Sequence, residues 1–63
     1  MHPTPREKDV LRLIVEELPS QEIARRLGIG LPTVETHRRN LFRKAGVKSA
    51  VGLVLVALKQ GWV

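Results

Sequence analysis

The chain has 63 residues, 43% hydrophobic and 3% aromatic, with no cysteine and a formal net charge of +5. That length holds one small domain, residues 1–63, and the composition excludes a disulfide framework and thiol chemistry. The longest apolar run, Leu53 to Leu58, is far short of a bilayer span, and Met1-His2-Pro3 lacks the apolar stretch of a secretory leader, so a cytoplasmic location without membrane contact is expected.

The first helix is predicted over residues 5–17. Thr4-Pro5-Arg6-Glu7 reads as a capping box, in which Thr4 accepts from the Glu7 N–H and Glu7 reaches back to the N–H of Thr4. Pro5 takes the first helical position, where its missing donor costs nothing. Val10, Leu11, Ile14, Val15 and Leu18 form one apolar stripe, and Pro19 stops the helix at or before Leu18.

A short second helix follows over 20–27, with Ile23, Ala24 and Leu27 on one side and Gly28 closing it. The third, 31–45, starts after a turn of Gly28-Ile29-Gly30 and clusters Val34, Leu41, Phe42 and Ala45 on its core side. Ser49 caps a fourth helix over 49–60, with Gly61 beyond it. No stretch alternates as a strand would, so the predicted class is all-α: a four-helix helix-turn-helix domain.

Charge falls unevenly along these elements. Residues 1–22 set Arg6, Lys8 and Arg12 against five acids, whereas residues 23–48 set Arg25, Arg26, Arg38, Arg39, Arg43, Lys44 and Lys48 against Glu35 alone. A basic block of this kind is the electrostatic footprint of a phosphate-backbone partner. Within it, Ala24 is small where two helices meet, Gly28 permits a positive-φ turn, and Val34 anchors the second helix of the pair. Together they mark a helix-turn-helix.

Thr4-Pro5-Arg6-Glu7, Glu22-Ile23-Ala24-Arg25-Arg26-Leu27-Gly28-Ile29, Thr33-Val34-Glu35-Thr36-His37 and Arg43-Lys44-Ala45-Gly46-Val47-Lys48-Ser49 resemble the LuxR-type (GerE-like) DNA-binding domain. The resemblance runs from Thr4 to Gly61. It implies the C-terminal output domain of a longer bacterial transcription regulator, coupled to a receiver or ligand-sensing domain as in two-component response regulators and quorum-sensing receptors. It further implies binding to double-stranded DNA as a homodimer through the last helix. The family carries glycine at the Glu17 position, Ser or Thr at Pro19, and more often a basic residue at Glu35. The backbone is therefore expected to depart most between Glu16 and Ser20, and the operator preference to be this chain's own.

On the third helix the face opposite Val34 and Leu41 is polar and basic. Its N-terminal half, which in such domains reaches base edges in the major groove, supplies Glu35, Thr36 and Arg39 as candidate base readers. Arg39 suits guanine O6 and N7, Glu35 suits cytosine N4, and the Thr36 methyl suits a thymine methyl. Other readings stay open: Arg39 as a phosphate contact, and Glu35 paired to a neighbouring arginine. Candidate phosphate contacts are Gln21, Thr33, Arg38, Asn40, Arg43, Lys44, Lys48 and Ser49. Of these, Ser49 is also a helix cap, and Arg38 is within reach of Glu22 or Glu35. Arg25 and Arg26 are expected to solubilise the second helix.

The fourth helix is apolar almost all round. Ala50, Val51, Val54, Leu55, Ala57 and Leu58 are expected to face the core. Gly52, Leu53, Val56 and Gln60 are then the candidate dimer interface, with Gly52 allowing close backbone approach. No metal-ligand spacing, nucleophile set or phosphate-cradling loop is present, so the chain is expected to be neither an enzyme nor a cofactor binder. His37 is expected at the rim or in packing, Trp62 as a plug of the core, and the low aromatic content disfavours single-strand stacking. The alternative function is a helix-turn-helix that binds an acidic protein partner. Salt dependence and duplex sequence preference discriminate the two.

Overall fold

Each helix begins and ends where its flanking chemistry dictates. The computed structural model describes all 63 residues and contains α1 (Pro5–Val15), α2 (Ser20–Leu27), α3 (Leu31–Ala45) and α4 (Ala50–Gln60), with no strand. The capping box forms as predicted: Thr4 Oγ1 accepts from the Glu7 N–H at 3.1 Å, and the Thr4 N–H donates to Glu7 Oε1 at 3.0 Å. Ser49 Oγ accepts from the Gly52 N–H at 3.0 Å and opens α4.

The end of α1 is the first departure. The helix stops at Val15, two residues before the predicted end. Glu17 takes φ +65° and is the only non-glycine residue with positive φ. The N–H of Leu18 reaches back to Leu13 O at 3.1 Å and that of Glu17 to Ile14 O at 2.8 Å. This is the double closure that normally recruits glycine at the turning residue. Here a glutamate bears the conformational cost that a glycine would not. Pro19 stands at the N-cap of α2 without any side-chain cap.

The core draws Val10, Leu11 and Ile14 from α1, Ile23 and Ala24 from α2, Val34 and Leu41 from α3, Leu53 and Ala57 from α4, and Trp62 as the expected plug. Each fully buried aliphatic side chain contributes about 2 kcal/mol of transfer free energy. Helix α3 packs against all three others, so its apolar side is fixed from several directions while its opposite side remains in solvent.

The orientation of α4 departs from the prediction, although Ala57 is buried as expected. Leu53 is fully buried, whereas Val51, Leu55 and Leu58 are 71%, 62% and 61% exposed. Val56 is half-buried and packs against the core. Gly52 does serve a close approach, but within the chain: a Cβ there would lie 3.2 Å from Val47 Cβ and from Ser49 Oγ. The expected interface face of Gly52, Leu53 and Val56 is therefore turned to the domain itself. Gln60 stays exposed at the end of that row. A helix apolar on every side carries no phase in its periodicity; the loop at Val47 sets it.

Candidate nucleic-acid interface

Val34 and Leu41 are fully buried on α3, and that anchorage turns Thr33, Glu35, Thr36, Arg39 and Arg43 outward, all exposed. The turn before α3 is held by Gly28 at φ +65° and by the Ile29 N–H bonded to Ala24 O at 3.1 Å. The sequence-predicted readers thus share one solvent face, with Asn40 half-buried at its edge.

Their partners differ. The side chains of Arg39 and Lys48 make no ion pair or hydrogen bond inside the chain. Thr36 commits its hydroxyl proton to Pro32 O at 3.1 Å. Glu35 Oε1 accepts from Ser20 Oγ at 2.6 Å and lies 3.8 Å from Arg38 Nε, the pairing foreseen as its other reading. Arg38 is half-buried, with its guanidinium 5.9 Å from the centre of the Phe42 ring. Arg43 donates to Asn40 Oδ1 at 2.8 Å. Gln21 is exposed at the start of α2, and Ser49 is occupied as the cap of α4. Arg25 and Arg26 both pair with Glu22 on their own helix.

Lys44 is the clear correction. Its ammonium donates to Glu7 Oε1 at 2.5 Å and to His2 O at 3.3 Å, and only 12% of its side chain is exposed. It joins the end of α3 to the start of α1 and does not project as a phosphate contact would. Burial pushes the Glu7 carboxyl up. The hydrogen bond and charge of Lys44, the Thr4 N–H and Asn40 outweigh that and hold it below its ordinary 4.5. The sequence reading used Glu7 only as a capping residue. The partner lies 37 residues away, and no local spacing announces it.

The same first turn supplies a second cross-tie. Arg6 Nη2 donates to Leu27 O at 3.0 Å, and its Nη1 lies 3.3 Å from Asp9 Oδ2. The Thr4-Pro5-Arg6-Glu7 motif therefore reaches the ends of both helices of the helix-turn-helix pair. No group of His, Asp or Glu is arranged to hold a metal ion, and no helix is long and apolar enough to cross a membrane.

Comparison with known proteins agrees with this architecture. Residues 3–57 match the family described as bacterial regulatory proteins, luxR family. The transcriptional regulatory protein MctR of Rhizobium johnstonii is 50% identical over 60 residues, covering 95% of this chain and 28% of that protein. The nitrate/nitrite response regulator protein NarL of Escherichia coli is 48% identical over 48 residues, covering 76% and 22%. The response regulatory protein YgeK of the same species is 41% identical over 58 residues, covering 92% and 40%. The chain spans well under half the length of these relatives. With four helices, a glycine-turned pair at its centre and a family match over most of its length, the chain belongs to the luxR family of bacterial regulatory proteins.

Proposed function

We propose that the chain binds double-stranded DNA with sequence preference and serves transcription regulation, placing α3 in the major groove. The observation that carries this reading is the free Arg39 on an exposed face that also bears Thr33, Thr36 and Arg43, opposite the buried Val34 and Leu41. Arg39 is the principal base reader, suited to guanine O6 and N7. Thr36 offers its methyl to thymine. Glu35, held by Ser20 and near Arg38, orders the basic edge and keeps one carboxylate oxygen for a cytosine amino group. Gln21, Thr33, Arg38, Asn40, Arg43, Lys48 and Ser49 lie where phosphates would pass.

The transcriptional and response-regulator relatives support a role as the output domain of a longer chain, joined to a receiver or sensing domain and acting in the bacterial cytoplasm. Pairing on DNA uses α4 through Val51, Leu55 and Leu58, the exposed apolar row, in place of the face expected from sequence. Two such domains would read half-sites about 34 Å apart.

Selection of bound duplexes from a random pool tests the reading. A shared motif is expected, repeated with two-fold symmetry. Affinity should fall by about 0.9 log units per log unit of salt for each phosphate neutralised. Arg39→Ala should narrow the gap between the selected and a random duplex. An unenriched pool would refute DNA reading and favour the acidic protein partner.

A further inference from the structure

Arg6 lies on α1, away from the exposed face of α3, yet its contacts bear on how that face is presented. Leu27 O belongs to the last turn of α2, where carbonyls have no intrahelical donor. The Gly28 N–H goes to Arg25 O at 3.4 Å and the Ile29 N–H to Ala24 O at 3.1 Å, so no backbone N–H serves Leu27 O. Arg6 Nη2 fills that place at 3.0 Å across 21 residues, and a cation at a helix C-terminus is also favoured by the helix dipole. Asp9 braces the guanidinium from below: its Oδ2 lies 3.3 Å from Arg6 Nη1, while its Oδ1 accepts from Arg12 at 2.8 Å. The next residue, Glu7, binds Lys44 at the end of α3. Two adjacent side chains of α1 thus hold the C-terminal ends of both helices of the DNA-reading pair.

We propose that Arg6 is a positioning residue for DNA recognition: braced by Asp9, it fixes the end of α2 and with it the Gly28–Gly30 turn that aims the N-terminal half of α3. This rests on the DNA-reading function proposed above. The planar guanidinium is required because it donates to Asp9 and to Leu27 O together from a rigid fork, which a lysine ammonium does not reproduce. Arg6 acts through the turn and touches no base or phosphate.

The test compares Arg6→Ala, Arg6→Lys and Asp9→Asn in the 63-residue chain. Arg6 is 45% exposed, so these variants should fold. In Arg6→Ala, amide exchange should quicken on the order of tenfold at Gly28 and Ile29, as local opening of the turn becomes easier. Exchange at the Trp62 amide, at the far end of α4, should be unchanged. The ratio of affinity for the selected duplex over a random one should fall on the order of threefold to tenfold, with the salt slope unaltered. Asp9→Asn should lower the same ratio less, because it removes only the brace, and Arg6→Lys should lie between wild type and Arg6→Ala. Equal loss on both duplexes with a slope shallower by about 0.9 would make Arg6 a phosphate contact and overturn the proposal. Unchanged exchange at Gly28 and Ile29 in Arg6→Ala would overturn it as well. If the wild-type chain prefers no duplex, the DNA-reading function falls by itself, and the exchange comparison still decides whether Arg6 holds the turn.

Discussion

Lys44→Met separates a buried structural ion pair from a DNA contact. In the folded chain Glu7 is 3% exposed and accepts from Lys44 at 2.5 Å. Methionine keeps much of the lysine stem's volume and removes the charge, leaving Glu7 with the Thr4 N–H as its remaining strong donor. Deleting one partner of a buried pair costs about 3–5 kcal/mol. The lower end applies here, because Thr4 still serves the carboxylate and the pair lies near the surface. About 3 kcal/mol is a large share of the roughly 3–9 kcal/mol expected for a domain of this size, and corresponds to a fall in melting temperature of about 12–24 °C. Urea unfolding followed by circular dichroism would measure it. Glu7→Gln combined with Lys44→Met should recover stability to within about 1 kcal/mol of wild type, since the glutamine oxygen still accepts from Thr4 and no charge is left buried.

The pH dependence has a definite sign. Because the folded chain holds Glu7 below its ordinary 4.5, its contribution is complete above that value and is lost as pH falls through the lower folded value. In Lys44→Met the balance reverses. Burial raises the carboxyl, and the cost of a lone charge at neutral pH is relieved as pH falls through the raised value. The wild-type and variant stability curves should therefore converge in acid. A loss under about 1 kcal/mol at neutral pH, the value of an exposed pair, would refute the argument and return Lys44 to the phosphate contacts.

Three further outcomes are expected. Glu17→Gly should raise stability by about 0.5–1 kcal/mol, because Glu17 holds φ +65°, which glycine adopts without strain; a lower midpoint in thermal melting would contradict this. Gly52→Ala should lose about 1 kcal/mol despite alanine's better helix propensity, since the new Cβ meets Val47 Cβ and Ser49 Oγ at 3.2 Å. The loss should not depend on protein concentration, and a gain would show that the Val47 loop yields. Leu55→Glu should leave the unfolding midpoint within about 0.5 kcal/mol, because Leu55 is 62% exposed, yet abolish cooperative binding to paired half-sites in gel-shift titrations; cooperativity that survives would place the pairing surface elsewhere.

Local chemistry was enough to read much of this protein from its residues. The Thr4–Glu7 box, Pro5, Gly28, Ser49 and Gly61 mark helix ends through contacts made within a few positions of each other. Val34, Leu41, Phe42 and Ala45 gather on one side of an otherwise largely polar helix and turn Thr36 and Arg39 outward. Where a helix has one apolar side, periodicity and burial coincide. Helix α4 has no such side, so its rotation waited on the fit of Gly52 against Val47, and Leu53 came out buried while Val51, Leu55 and Leu58 came out exposed. The roles of Lys44 and Arg6 were likewise beyond a linear reading. Lysine and arginine have the same charge on a surface as in a cross-tie, and only the folded chain brings Glu7 to Lys44 and Arg6 to Leu27 O. Contacts between neighbours in sequence are written in residue order. Contacts between distant residues depend on how the helices pack, and packing decided which cations hold the domain together and which are left exposed to solvent.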